Sequence, residues 1–135
     1  MSKTVVFDSS VLIDQVRTNR YLDRMLRIEA VVRNSSVVLA ELWRGASTAE
    51  ERKFLQELAD SHLILTPTRN HWLESGEILA KMRDHKGLEL SKLRDLHFDV
   101  LIALTARAHG ATLITSNRTD FELIRRYRDF QLKVW

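Results

Sequence analysis

The chain is expected to fold as an α/β protein, an α/β/α sandwich in which helices cover both faces of a five-stranded parallel sheet. Three observations predict it. Short β-branched apolar runs alternate with longer segments of helical spacing, the pattern of strand–helix–strand units. The first run, Val5-Val6-Phe7, is apolar at consecutive positions, which suits a strand buried on both faces. No repeat, low-complexity stretch or linker divides the 135 residues, so one domain over 1–135 is expected, long enough to bury a sizeable core.

In order, the first strand ends in Asp8, and Ser9 or Ser10 is placed to cap the helix that follows. Two short helices come next, one carried by Val11, Leu12 and Val16, the other by Tyr21, Leu22, Met25 and Leu26. Ile28 to Val32 is the second strand candidate. Ser35 or Ser36 then caps a helix from Val37 to Arg44 that Gly45 breaks. Ser47, followed by Glu50 and Glu51, opens another helix with acids in its first turn, and Phe54, Leu55 and Leu58 form its buried stripe. His62 to Thr66 reads as a third strand, stopped by Pro67. From Thr68 to Lys86 the residues Trp72, Leu73, Gly76, Leu79 and Ala80 recur at helical spacing, and Gly87 ends the segment. Leu88 to Leu96, polar and of mixed charge, reads as a connection. His97 to His109 is a helix apolar along one side, with Gly110 where a left-handed cap is favoured. Ala111 to Thr115 is the fourth strand, Asp120 to Tyr127 a short helix, and Phe130 to Val134 a fifth strand whose alternation suits a sheet edge.

Composition removes several classes of function. With 44% hydrophobic and 29% charged residues the chain is not disordered. No apolar run approaches the ~20 residues that cross a bilayer, and the first residues lack the layout of a signal peptide. The absence of cysteine excludes disulfides and thiolate metal sites, so a cytoplasmic protein is expected. A formal charge of +3 permits a polyanionic partner without requiring one.

Four acids fall at comparable places. Asp8 ends the first strand, where open α/β sheets bind ligands. Glu41 is flanked by Val38, Leu39, Ala40, Leu42 and Trp43, and Asp99 by Phe98, Val100, Leu101 and Ile102. Asp120 follows the loop that leaves the fourth strand. A carboxylate in apolar surroundings is costly unless it is paired or bound to a cation. Singly, each of these could be satisfied by an arginine; gathered at one sheet edge, they repel one another unless a divalent cation neutralises them. That is an all-oxygen, hard-metal arrangement, suited to Mg²⁺ with its short ligand distances of about 2.0–2.1 Å and to phosphodiester chemistry.

Val6-Phe7-Asp8-Ser9-Ser10-Val11-Leu12-Ile13 resembles the opening of the PIN-domain family. Val38-Leu39-Ala40-Glu41-Leu42-Trp43-Arg44-Gly45 is similar to its second signature, an acid in a helix closely followed by glycine. Asp99 to Ala106, then His109 to Asn117 with Asp120-Phe121, resemble the third and fourth, in the family's order and spacing over nearly the whole chain. Length and compactness resemble VapC-type toxins. The resemblance implies an endoribonuclease dependent on Mg²⁺ or Mn²⁺, which activates water against an RNA phosphodiester and leaves a 5′-phosphate and a 3′-hydroxyl. It implies Asp8 and Asp99 as main metal ligands, with Glu41 completing the cluster. Asp120 matches the fourth acid, but some relatives carry an acid where this chain has Asn117, so either can face the metal. Ser10 and Thr115 match hydroxyl or amide positions around the ion's water shell. It further implies a cognate small antitoxin protein, a homodimer and no membrane.

Arg44, one helical turn beyond Glu41, suits either an ion pair with it or a contact to RNA phosphate. Arg118, Arg125, Arg126 and Arg128 cluster after the fourth strand, and Arg118 and Arg125 are candidates for the RNA backbone. The five histidines show no metal-ligand spacing; His97, two residues before Asp99, suits a surface or core-edge role. Trp43, Trp72 and Trp135 read as core or interface anchors. Two other enzyme or module classes compete. A haloacid-dehalogenase-like phosphatase needs an acid where this chain has Ser10, and a receiver-like binding module needs an acid at the end of its third strand, here Leu65-Thr66-Pro67. A catalytically inactive PIN-like binding module is the remaining alternative.

Overall fold

The computed structural model describes residues 3–135. Along these the chain runs β1 (Thr4–Phe7), α1 (Ser9–Thr18), α2 (Leu22–Leu26), β2 (Val31–Ser35), α3 (Ser36–Gly45) and α4 (Ala49–Ser61). It continues through β3 (Ile64–Leu65), α5 (Arg69–Lys86), α6 (Leu90–Ala108), β4 (Thr112–Thr115), α7 (Arg118–Arg125) and β5 (Gln131–Val134). The five strands form one sheet in the order β3-β2-β1-β4-β5, parallel at every pairing. None of the described helices is long and apolar enough to cross a membrane.

This order explains why Asp8 matters. From β1 the chain moves outward to β2 and β3, then returns through α5 and α6 to β4 on the other side of β1. The direction of winding therefore reverses between β1 and β4, and such a switch point opens a crevice beyond the carboxyl ends of the strands. Val6, Leu113 and Ile114 are almost wholly buried in this centre, packed with Val11, Leu101, Ile102 and Phe121 from the helices. A base of that kind holds side chains at the strand ends rigidly.

Several elements depart from the expected boundaries. β2 occupies Val31–Ser35 rather than Ile28 to Val32, because its register pairs Val31 with Thr4, the first residue of β1. The strand then runs through Arg33-Asn34-Ser35, against local preference, since tertiary partners satisfy the polar groups. Asn34 Nδ2 donates to the Leu58 carbonyl at 2.7 Å, and its own N–H to the Leu63 carbonyl at 2.9 Å. Ser35 is thereby set as the cap of α3, accepting from the Val37 and Val38 N–H groups. α4 is capped by Thr48 rather than Ser47, the Thr48 hydroxyl accepting from the Glu51 N–H at 3.1 Å.

The stretch Leu88 to Leu96, expected as a connection, is mostly the first turns of α6. Leu93 and Leu96 continue the buried line of Val100 at helical spacing, while the charges between them face outward. In α5 the buried residues are Ser75, Ile78 and Met82, and the expected stripe lies to one side of them, with Trp72 and Leu73 exposed. Gly87 and Gly110 follow α5 and α6 at φ 61° and 63°, the left-handed conformation that glycine tolerates.

Candidate metal centre at the carboxyl edge of the sheet

Asp8 follows the last residue of β1 and is 3% exposed. It sits in the N-cap position of α1 without making a capping bond, and neither Ser9 nor Ser10 caps the helix as the sequence suggested. Their hydroxyls are spent on the acids instead. Ser10 Oγ donates to Asp8 Oδ2 at 2.8 Å, and Thr115 Oγ1, at the end of β4, donates to the same oxygen at 2.8 Å. Ser10 Oγ also accepts from the Ser116 N–H at 3.2 Å, which ties the start of α1 to the loop after β4. Asp8 is thus fixed by one oxygen, while Oδ1 receives only a long bond of 3.5 Å from Ser9.

Glu41 projects from α3 and Asp99 from the middle of α6 toward the same point. One carboxylate oxygen from each of Asp8, Glu41 and Asp99 lies within 4.8 Å of the others. Neutralising groups around the trio are few. Ser9 Oγ reaches Glu41 Oε1 at 3.5 Å, and among the described residues no ion pair forms to any of the three. Burial and then the Asp8 charge push Glu41 up to about 7, against a smaller opposing pull from Arg44 and the Ser9 bond. Burial pushes Asp99 up to about 8, with Asp8, Glu41 and Asp120 adding to the rise and Lys92 opposing it.

Asp120 is treated differently by the fold. It lies in the first turn of α7, near enough to raise Asp99, but Lys92 Nζ donates to its Oδ1 at 2.9 Å. Asn117 Nδ2 donates to its Oδ2 at 3.1 Å, and Asn117 Oδ1 accepts the Asp120 N–H at 3.3 Å as the cap of α7. Asn117 and Asp120, alternatives for one position in the sequence, are therefore bonded to each other. Thr115 Oγ1 accepts from the Asn117 N–H at 2.9 Å, so this pair is joined to Asp8 through one hydroxyl.

Lys92 and Ser9 are the site residues that the sequence reading passed over. Lys92 stands seven residues before Asp99, two turns along the same helix. Its place was legible only with α6 begun at Leu90.

The arginines divide. Arg44 is exposed, with its guanidinium 5.9 Å from the centre of the Phe98 ring, beside Asp99 in sequence. Arg118 is exposed at the start of α7. Arg125 is engaged by Glu122 through two bonds of 2.9 and 3.0 Å, and Arg128 by Glu74 at 3.1 Å. His97 bonds Ser75 at 3.1 Å and meets the edge of Trp72, where α5 packs on α6. Trp135 packs on Phe7 and Tyr21, whereas Trp43 and Trp72 are both largely exposed.

The donor set fits a hard divalent cation. It is composed of carboxylate oxygens on three rigid elements, and ligands across an octahedral Mg²⁺ stand about 4.2 Å apart, twice its ligand distance. Three carboxylate oxygens mutually within 4.8 Å are gathered over a span close to that of one ion's ligand shell. Without one, burial and the neighbouring acidic charges favour the protonated forms of Glu41 and Asp99.

The profile of the PIN-domain family matches residues 5–127. Among solved structures, the chain is similar to VapBC2 from Rickettsia felis bound to a DNA fragment from its promoter, at 24% identity, covering 98% of each chain with a TM-score of 0.71. DNA-bound VapBC from Salmonella typhimurium is similar at 21% identity, covering 100% of this chain and 99% of that one, with a TM-score of 0.67. VapBC-5 from Mycobacterium tuberculosis, a member of the VapBC family of toxin–antitoxin systems, is similar at 25% identity over 97% and 96% of the two chains, TM-score 0.58. No curated protein matches the chain. The match leaves the phosphatase-like and receiver-like readings without support. A profile spanning most of the chain, on a five-stranded parallel sheet with acids gathered at its switch point, makes this protein a member of the PIN-domain family.

Proposed function

We propose that this protein is an endoribonuclease dependent on Mg²⁺ or Mn²⁺, acting as the toxin of a toxin–antitoxin pair in the cytoplasm. The observation that carries the reading is the convergence of Asp8, Glu41 and Asp99 with, among the described residues, no cationic side chain bonded to any of them. These three would hold the ion, with Asp120 as the fourth acid. A divalent cation held there would supply activation of water and offset charge on phosphoryl oxygens.

The chain's own groups prepare the site. Ser10 and Thr115 fix Asp8 by Oδ2, while Oδ1 receives only the long bond from Ser9. Glu41 and Asp99 give up protons on taking a cation, so binding strengthens as pH rises through their raised pKa values. Asp120, bonded to both Lys92 and Asn117, holds Lys92 near Asp99, where its charge offsets only part of the acidic repulsion. Arg44 and Arg118, both exposed, are the side chains proposed to meet RNA phosphate, while Arg125 must leave Glu122 to take part.

A partner surface lies alongside. An apolar cleft between α1, α3 and α4 is lined by Leu12, Val16, Leu42, Phe54 and Leu55, and Glu41 stands at its margin. An antitoxin segment seated there would cover the acids, a reading the likeness to toxin–antitoxin complexes supports. Homodimerisation is supported by exposed apolar residues on α5 and α6, among them Trp72, Leu73 and Leu90.

The test is cleavage of RNA by the purified protein with Mg²⁺ or Mn²⁺, beside growth inhibition on expression in a bacterial host. Wild type should cut and inhibit, while Asp8→Ala and Asp99→Ala should do neither. RNA left intact by wild type, together with undiminished growth inhibition by both variants, would overturn the reading.

A further inference from the structure

A second concave surface has a chemistry of its own. A cleft of about 600 Å³ lies where β1, β4 and β5 meet α2 and the turn after it. The register sets Val5 beside Thr112 and Thr112 beside Gln131, then Phe7 beside Ile114 and Ile114 beside Lys133. Side chains in register on a parallel sheet share a face. The floor is therefore Val5, Thr112, Ile114 and Lys133, with Trp135 beyond. Sheets of this kind are normally covered on both faces, yet Gln131 and Lys133 of β5 are exposed.

Charge distinguishes the cleft. Lys3, Arg24, Arg27 and Lys133 line it against one acidic side chain, Glu29. Ion pairs hold Lys92, Arg83, Arg125 and Arg128 elsewhere, but among the described residues none of these four cleft cations is paired, with Glu29 or any other acid. Like charges gathered around one concavity create a positive potential that an anion would relieve. Arg24 is fixed there by aromatic packing, its guanidinium 6.0 Å from the Tyr21 ring and 5.6 Å from that of Trp135. A guanidinium held by its face keeps its in-plane donors free for phosphate.

One wall of the cleft, Trp135, packs against the elements that carry the acidic centre. Trp135 packs at 5.5 Å on Phe7, the residue before Asp8. Its N–H donates to the Thr115 carbonyl at 2.9 Å, and the Thr115 hydroxyl holds Asp8.

We propose that this cleft seats single-stranded RNA extending from the cleaved phosphodiester, with Lys3, Arg24, Arg27 and Lys133 on its phosphates. The inference rests on the ribonuclease reading and adds a binding track remote from the metal centre. Phosphate binding of this kind positions the strand and carries no base preference.

Binding of a fluorescently labelled single-stranded RNA, followed by anisotropy in EDTA across a salt series, tests it without cleavage. Arg24→Glu/Arg27→Glu/Lys133→Glu should weaken binding at least about tenfold and flatten the salt dependence by about 0.7 for each phosphate no longer neutralised. Because Arg24 packs on Tyr21, Arg27→Glu/Lys133→Glu is measured beside it and should lose affinity in the same direction with an unchanged melting temperature. Wild-type affinity and salt slope in that double variant would overturn the proposal. So would a labelled poly-glutamate peptide that bound wild type more tightly than RNA and lost that binding in the variants, since the occupant would then be an acidic protein segment. Failure of wild type to cut any RNA would instead strike the ribonuclease reading, which the cleavage assay reports separately.

Discussion

Two parts of one sheet edge carry the same residue type and are finished differently. Asp120 has a lysine at 2.9 Å and an asparagine on its other oxygen. Asp8, Glu41 and Asp99 receive hydroxyl bonds at most, and burial drives Glu41 and Asp99 to hold protons near neutral pH. Among the described residues, the protein pairs one of these carboxylates with a cationic side chain and the other three with none. Because a carboxylate without a cationic partner in apolar surroundings is costly, we propose that function rather than stability shaped the trio.

The comparison is broken first at its centre. Asp99→Asn should reduce metal-dependent RNA cleavage by more than the roughly 10–100-fold that loss of an outer-shell partner costs. Asp120→Asn should fall within that range, because its amide oxygen still accepts from Lys92. Initial rates at saturating Mg²⁺ decide between them, and equal losses would put Asp120 on a par with the trio.

Lys92→Met removes the compensation instead. With Asp120 freed, the site gains a fourth uncompensated acid, so half-saturation by Mn²⁺ should move to lower concentration by a few fold, since the coupling of one neighbouring charge is on the order of 1 kcal/mol when partly screened. An unchanged midpoint would mean that Lys92 does not limit access to the ion.

The smallest effect belongs to the support of Asp120. Asn117→Ala deletes the cap of α7 and should cost about 1 kcal/mol by denaturant unfolding, with cleavage reduced less than by Asp120→Asn.

The centre of the fold was legible in the sequence because β1 and β4 are consecutive apolar runs and their ends carry the acids. Asp8, Glu41 and Asp99 stood out because each lies among residues that seek the core. β2 was misplaced by local preference: Ile28 favours a strand, but pairing with β1 draws in Arg33, Asn34 and Ser35, whose partners come from distant residues. The start of α6 was lost to its charged outer face, and Lys92 with it. Ser9 and Ser10 looked like caps, since serine before a helix usually is one. Here the orientation of Asp8 claims Ser10, and nothing local to the sequence announces a bond to Thr115 across 105 residues.

The central claim is that the trio is completed by a divalent cation, and thermal stability against metal and pH tests it most directly. The raised pKa values mean that the folded state holds protons which the unfolded state has already lost. Without metal, stability should therefore fall as pH rises from about 4.5 through about 7 to 8, then level off. Added Mg²⁺ or Mn²⁺ should restore it, more at pH 8 than at pH 6, by several degrees and beyond what NaCl of equal ionic strength produces. Asp99→Asn should flatten the metal-free decline and abolish the response to the ion. A wild-type melting temperature indifferent to divalent cations at pH 8 would contradict the account.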